Sequence, residues 1–216
     1  MYHYVEDKAF LSDVRILCGE IMQDLCHILA TEYGIGTTFY MVGSGAKNLI
    51  LQNDSMPIDL DYNLEIQSCS DFNDCPEIKK KVILAFNSAL KRHGWGNCQD
   101  STSCITTELR HFRKGNPTQF SIDVCITCND SQGQYYRLIH QKTGFTYMDR
   151  YYWNMAPNSA NLRKKVKYIK DHGNWLAVRE EYREIKNMYL TRHMIDTHPS
   201  FICYVEAVNH VYNAMR

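Results

Sequence analysis

No apolar run in the 216 residues is longer than five positions, Val82–Phe86 being one of them. A membrane-crossing helix needs ~20 such residues, so no span is expected. The opening residues MYHYVEDK carry neither the basic stretch nor the apolar stretch of a secretory leader, and the expected location is cytoplasmic. Net charge is also missing, with 24 Lys and Arg balancing 24 Asp and Glu. That balance argues against broad nucleic-acid binding driven by bulk charge. There is no internal repeat and no low-complexity segment. Hydrophobic residues at 44% and charged residues at 22% exclude disordered and collagen-like classes.

The chain does hold nine cysteines. An odd count without an export signal speaks against a disulfide framework and for reduced thiols that pack as small hydrophobes. The zero net charge hides an asymmetry: residues 1–130 carry 11 basic against 17 acidic side chains, and residues 131–216 carry 13 against 7. An acidic half joined to a basic half suits a site that holds metal ions and phosphates together. It equally suits two halves that attract each other.

Hydrophobic spacing predicts the elements. Leu11, Val14, Cys18, Ile21, Leu25 and Ile28 recur at steps of three or four and predict a helix over residues 6–32, ended at Tyr33-Gly34-Ile35-Gly36. A short strand, Thr37 to Val42, runs into Gly43-Ser44-Gly45. The clearest strand follows, where Ile58, Leu60, Tyr62, Leu64 and Ile66 alternate with Asp59, Asp61, Asn63 and Glu65. A second helix enters at Asp74-Cys75-Pro76-Glu77 and closes at Gly94. Strands are expected near 103–110 and 119–128, and an aromatic hairpin over 134–153 turns around Lys142-Thr143-Gly144. Beyond Pro157 the pattern is helical, in three segments broken at Gly173 and Pro199. The expected fold class is α+β, a mixed β-sheet flanked by helices with a C-terminal helical bundle. The expected domains are 1–155 and 156–216.

Three short pieces carry the chemistry: Val42-Gly43-Ser44, Ile58-Asp59-Leu60-Asp61-Tyr62 and Ile122-Asp123-Val124. Residues two apart on a strand share a side, so Asp59 and Asp61 project together while their apolar neighbours pack. Phe120, Ile122, Val124 and Ile126 form the packed face of the later strand and leave Asp123 on the other. If the two strands are close, three carboxylates converge, and their repulsion calls for a hard, oxygen-liganded cation such as Mg²⁺ or Mn²⁺. Two such ions can align a nucleoside triphosphate with an attacking hydroxyl. The glycine lets backbone approach phosphate oxygens, and the Ser44 hydroxyl can donate to them. The bland alternative is that Asp59 and Asp61 are only the solvent face of an edge strand.

In this order and spacing the glycine-serine turn, the paired aspartates and the distant strand aspartate resemble the DNA polymerase β-like nucleotidyltransferase superfamily, over roughly residues 39–124. The resemblance implies a nucleotidyltransferase that uses divalent metals, moves a nucleotidyl group from an NTP, with ATP the first choice, to an acceptor hydroxyl or phosphate, and releases pyrophosphate. It implies that Asp59, Asp61 and Asp123 ligate metal, that Asp123 also helps activate the acceptor, and that Gly43 and Ser44 hold the triphosphate. Lys47 and Lys167 are added as candidate phosphate ligands. The length looks like the compact bacterial members, such as antibiotic-modifying or toxin–antitoxin enzymes, and is short for the cyclic-dinucleotide synthases.

Weaker signals stand beside this. Arg163, Lys167 and Lys170 share one helix face, which is either phosphate-binding or simply solvated. Cys125-x-x-Cys128 resembles half a zinc site, but residues three apart on a strand point to opposite faces, and no second such pair exists. The aromatic run around Tyr151-Tyr152-Trp153 fits a packed core or a base-stacking surface. Two other functions compete: a non-catalytic nucleotide-binding or antitoxin-like partner-binding module, and a salt-sensitive nucleic-acid binder using the basic half. The acceptor cannot be read from the sequence.

Overall fold

A computed structural model describes residues 1–157, 159–192, 194 and 198–216. In chain order the elements are β1 (Tyr2–Tyr4), α1 (Lys8–Tyr33), β2 (Gly36–Met41), α2 (Gly43–Lys47), β3 (Leu51–Asn53), β4 (Ile58–Ser68), α3 (Cys75–Arg92), β5 (Gln99–Asp100), β6 (Ile105–Thr106), β7 (Phe120–Asn129), β8 (Tyr135–Gln141), β9 (Arg150–Met155), α4 (Ala160–Asp171), α5 (Trp175–Thr191) and α6 (Ser200–Ala214). They divide into two compact units. One comprises Asp7–Ala46 with Pro57–Ala156, and the other comprises Met1–Glu6, Lys47–Met56 and Pro157–Arg216.

The first unit is built on a seven-stranded mixed sheet in the order β2-β4-β7-β6-β5, with β8 on β7 and β9 on β8. Only β4 and β7 run parallel; every other pairing in this sheet is antiparallel. β6 and β8 share one edge of β7, opposite residues 123–124 and 127–129 respectively. The predicted stripe of α1 is wholly buried, and Phe10 on it meets Phe120 of β7 edge-on, ring centroids 6.3 Å apart. Asp7 caps α1 by accepting the Phe10 N–H at 2.9 Å, and Gly34 closes it in the left-handed region at φ +63°. α3 starts at the Asp74 cap, with Pro76 in its first turn. Ile58, Leu60, Tyr62, Leu64 and Ile66 of β4 are buried as their alternation requires.

Two local expectations change. The strand near 103–110 contracts to Ile105–Thr106 plus a single bridge from Arg110 to Phe120. The Ile122 N–H there goes to the Thr107 hydroxyl, 2.9 Å away, instead of a backbone carbonyl, which interrupts the ladder. The Gly43-Ser44-Gly45 turn opens the short helix α2. All nine cysteines are free thiols.

At the β8–β9 end, two buried polar side chains are paired with aspartates. The Lys79 ammonium, on a residue only 2% exposed, lies 2.6 Å from Asp100 Oδ1. His140, 5% exposed, sets Nδ1 2.6 Å from Asp100 Oδ2 and Nε2 2.9 Å from Asp149 Oδ2. Tyr151 stacks on its ring at 4.1 Å. Burial pulls the Lys79 pKa down and Asp100 pulls it partly back. The Thr143 N–H and the His140 bond hold the Asp149 carboxyl below its ordinary range.

In the second unit β1 and β3 pair antiparallel. α4, α5 and α6 enclose a core of Ile169, Val178, Ile185, Ala207 and Val208 with Leu49. Gly173, at φ +73°, separates α4 from α5, and Pro199 precedes α6. Leu176, Met188 and Phe201 are exposed.

Candidate active site

The parallel register of β4 and β7 places Asp61 opposite Asp123 and Asp59 opposite Ser121. Neighbouring strands in register share faces, so the three aspartates stand together on the side away from the α1-packed face. Their hydrogen bonds come partly from hydroxyls of adjacent strands. Ser121 Oγ donates to Asp59 Oδ1 at 2.7 Å, and Thr106 stands opposite Asp123 across the β6–β7 pair, where its hydroxyl favours the ionised carboxylate. Burial raises the Asp123 pKa above the ordinary carboxylate value and the nearby Asp59 charge adds to this, while the Thr106 bond acts the other way. Asp123 Oδ1 is buried and has no hydrogen-bond partner among the described residues.

Gly43 closes one side. The Val42 N–H donates to the Asp61 carbonyl at 2.8 Å, which seats the end of β2 against β4. Gly43 itself has φ +60°, and a Cβ there would overlap Asp61 Oδ2. Both the dihedral and the space demand glycine. Ser44 follows in the first turn of α2, and Arg15 of α1 holds that helix by donating to the Gly45 carbonyl at 3.3 Å. Asp59, Asp61, Asp123 and Gly43 are thus gathered in one place, with Ser44 adjoining.

Lys47 and Lys167 belong to the second unit. Lys47 Nζ lies 5.2 Å from the Tyr204 ring centroid. Lys167 is largely exposed and pairs with Asp171, four residues on, at 2.5 Å. On the same helix Lys170 sits over the Trp175 ring at 4.6 Å.

Cys125 continues the aspartate face. Its thiol is pushed up to about 11, mostly by burial, with Arg137 pulling down and Asp61 and Asp123 among the groups pushing up. Cys128, three residues on, points to the other face, so the pair does not form a zinc clamp. Among the described residues no group of three His, Cys, Asp or Glu side chains stands close enough to hold a metal ion by itself.

Sequence reasoning missed Ser121, Thr106 and Arg15. Ser121 was within reach, being two residues before Asp123 on the same strand face. Thr106 and Arg15 depend on pairings between distant segments that no local pattern encodes.

No protein-family model matches the chain, and no curated protein matches it. Solved structures do. The Vibrio cholerae di-nucleotide cyclase DncV, in complex with ATP, GTP and 5MTHFGLU2, aligns with a TM-score of 0.62 at 12% identity, over 95% of this chain and 69% of that one. Escherichia coli MS115-1 CdnC with ATP gives 0.60 at 14% identity, over 97% and 62%. Elizabethkingia meningoseptica CdnE cyclic dinucleotide synthase, with GTP and Apcpp, gives 0.53 at 14% identity, over 91% and 69%. These proteins belong to the DNA polymerase β-like nucleotidyltransferase superfamily. This chain has the nucleotidyltransferase fold. At such identities the likeness is one of fold, and the chain spans about two thirds of the length of these structures. The length had suggested compact members of the superfamily; the structures matched here are cyclases, longer than this chain. On the nucleotidyltransferase fold, Asp59, Asp61 and Asp123 lie on the two parallel strands inside the sheet, with Gly43, at the start of α2, against Asp61.

Proposed function

We propose that the protein is a metal-dependent nucleotidyltransferase that moves a nucleotidyl group from an NTP to an acceptor hydroxyl or phosphate and releases pyrophosphate. The observation that carries this reading is the register that sets Asp61 against Asp123, with Asp59 one step away and Gly43 pressed on Asp61. The fold shared with cyclases solved with ATP and GTP supports it.

The donors fit a hard divalent cation. All are carboxylate oxygens, and Asp123 Oδ1 is buried without a hydrogen-bond partner among the described residues. Mg²⁺ commonly takes one or two carboxylates and completes its shell with substrate phosphates and water, so a ready-made three-residue clamp is not needed. Asp59, Asp61 and Asp123 would hold Mg²⁺ or Mn²⁺. Such ions, when bound, neutralise the triphosphate and stabilise the attacking and leaving oxygens of an in-line displacement.

The chain's own residues do the rest. Gly43, free of a side chain, lets the main chain approach the β- and γ-phosphates, and the Ser44 hydroxyl donates to them. Asp123, the carboxylate nearest the β6 edge, orients the acceptor. An acceptor hydroxyl passes its proton to Asp123 as its oxygen bonds to the α-phosphorus, the bond from the α-phosphorus to the bridging oxygen breaks, and pyrophosphate departs with that oxygen. Lys47 and Lys167 are assigned to the triphosphate, and ATP is the first donor to try.

The test is pyrophosphate release with Mg²⁺ or Mn²⁺ and each NTP, with cell extract supplying acceptors, beside the Asp59→Asn/Asp61→Asn variant. Release by the wild type alone supports the enzyme. Equal silence from both proteins, with NTP binding that ignores metal, overturns it in favour of a non-catalytic nucleotide-binding module.

A further inference from the structure

Two of the three site carboxylates are met by hydroxyls from a neighbouring strand. Ser121 sits on β7 between the buried Phe120 and Ile122 and is itself only 3% exposed. Packing alone would favour an apolar side chain in so enclosed a strand position. Its Oγ instead spends its proton on Asp59 Oδ1, at 2.7 Å and 62 residues away in sequence. Thr106 belongs to a strand only two residues long, yet the register sets it directly opposite Asp123. Cys104 Sγ, 3.7 Å from Thr106 Oγ1, shares that side of β6.

We infer that Ser121 and Thr106 are positioning residues, each binding one oxygen of a site carboxylate so that its remaining oxygen is aimed at the divalent cation. The inference rests on the proposed reading that Asp59 and Asp123 are cation ligands. Three carboxylates on adjacent positions repel, and an unrestrained aspartate swings to another rotamer at small cost. A hydroxyl bond to an ionised oxygen is short and strong enough to prevent this. It also consumes one oxygen's lone pair, which leaves the other as the better ligand. Outer partners of metal ligands typically govern affinity by ten- to a hundredfold.

The experiment is a Mn²⁺ titration of the intact chain by electron paramagnetic resonance, in the presence of α,β-methylene-ATP. The proteins are the wild type and the Asp61→Asn, Ser121→Ala, Ser121→Thr, Thr106→Val and Thr106→Ser variants, each checked by circular dichroism. Ser121→Ala and Thr106→Val are expected to weaken Mn²⁺ binding by about tenfold or more, while Ser121→Thr and Thr106→Ser recover most of it. In pyrophosphate release the two hydroxyl-free variants should regain kcat as Mn²⁺ is raised, which a general loss of structure would not allow. Thr106→Val keeps the shape of the side chain, so it decides the matter should Ser121→Ala fold poorly. Wild-type affinity in both hydroxyl-free variants, with binding lost in Asp61→Asn, overturns the positioning role alone. Wild-type binding no better than that of Asp61→Asn overturns the cation reading, and the positioning role with it.

Discussion

The sheet unit holds two knots of charge that obey opposite rules. Around His140 each carboxylate has a partner within 2.6–2.9 Å: Lys79 on Asp100, and the two imidazole nitrogens between Asp100 and Asp149. Around Asp123 three carboxylates are brought together, and the Ser121 hydroxyl donates to Asp59. The first knot is closed: its polar groups answer one another and tie β5, β8 and the β9 approach to α3. In the second, a buried oxygen of Asp123 has no hydrogen-bond partner among the described residues. A protein keeps such a deficit where a ligand completes it. Charge density alone therefore does not mark a site; a buried oxygen left without a partner does.

Breaking the closed knot should have the largest effect on stability. His140→Ala removes the buried imidazole from between Asp100 and Asp149 and should cost about 1–3 kcal/mol in urea unfolding, the usual penalty for losing a buried hydrogen-bonding partner. Gly43→Ala tests the open knot from its backbone side. The new Cβ displaces Asp61, and pyrophosphate release should drop roughly a hundredfold with little change in circular dichroism.

Asp123→Asn separates the two rules most directly. It relieves like-charge crowding, so the fold should gain about 0.5–1 kcal/mol while transfer is lost. A destabilised Asp123→Asn protein would mean that this cluster, too, is structural.

The Asp149 latch predicts a pH effect of definite sign. Its carboxyl is held below the ordinary value, so the unfolded chain takes up the proton first as pH falls. The stabilisation is complete above the unfolded pKa of ~3.9 and fades as pH drops through the lower folded value. Thermal melts over roughly pH 5 to 2 should show a steeper loss for the wild type than for Asp149→Asn. The smallest effect belongs to Lys167→Ala. Its exposed pair with Asp171 is worth less than about 0.5 kcal/mol, so a clear rise in the KM for NTP would report triphosphate binding and not packing.

Much of the fold was legible because it is periodic. α1, β4, α3 and the three C-terminal helices announce themselves by apolar spacing and by caps such as Asp7, Gly34 and Asp74. β1 and β3, three residues each, are too short to show a period, and β6 exists only because β7 offers an edge to it. The alternation of β4 and β7 put Asp59, Asp61 and Asp123 on polar faces. Nothing local stated that the strands are parallel neighbours with Asp61 level with Asp123. Ser121, Thr106 and Arg15 were silent for the same reason: each acts on a partner far along the chain.

The 62-residue separation between Ser121 and Asp59 also has a kinetic meaning. The β4–β7 pairing is parallel and non-local, so its loop-closure entropy must be met before its contacts form. A ribosome that has released only the first hundred residues has made both aspartates of β4 and no strand to complete them. The carboxylate cluster thus comes into being with the closing of the sheet, and a chain halted partway carries the acidic residues without the means to gather them.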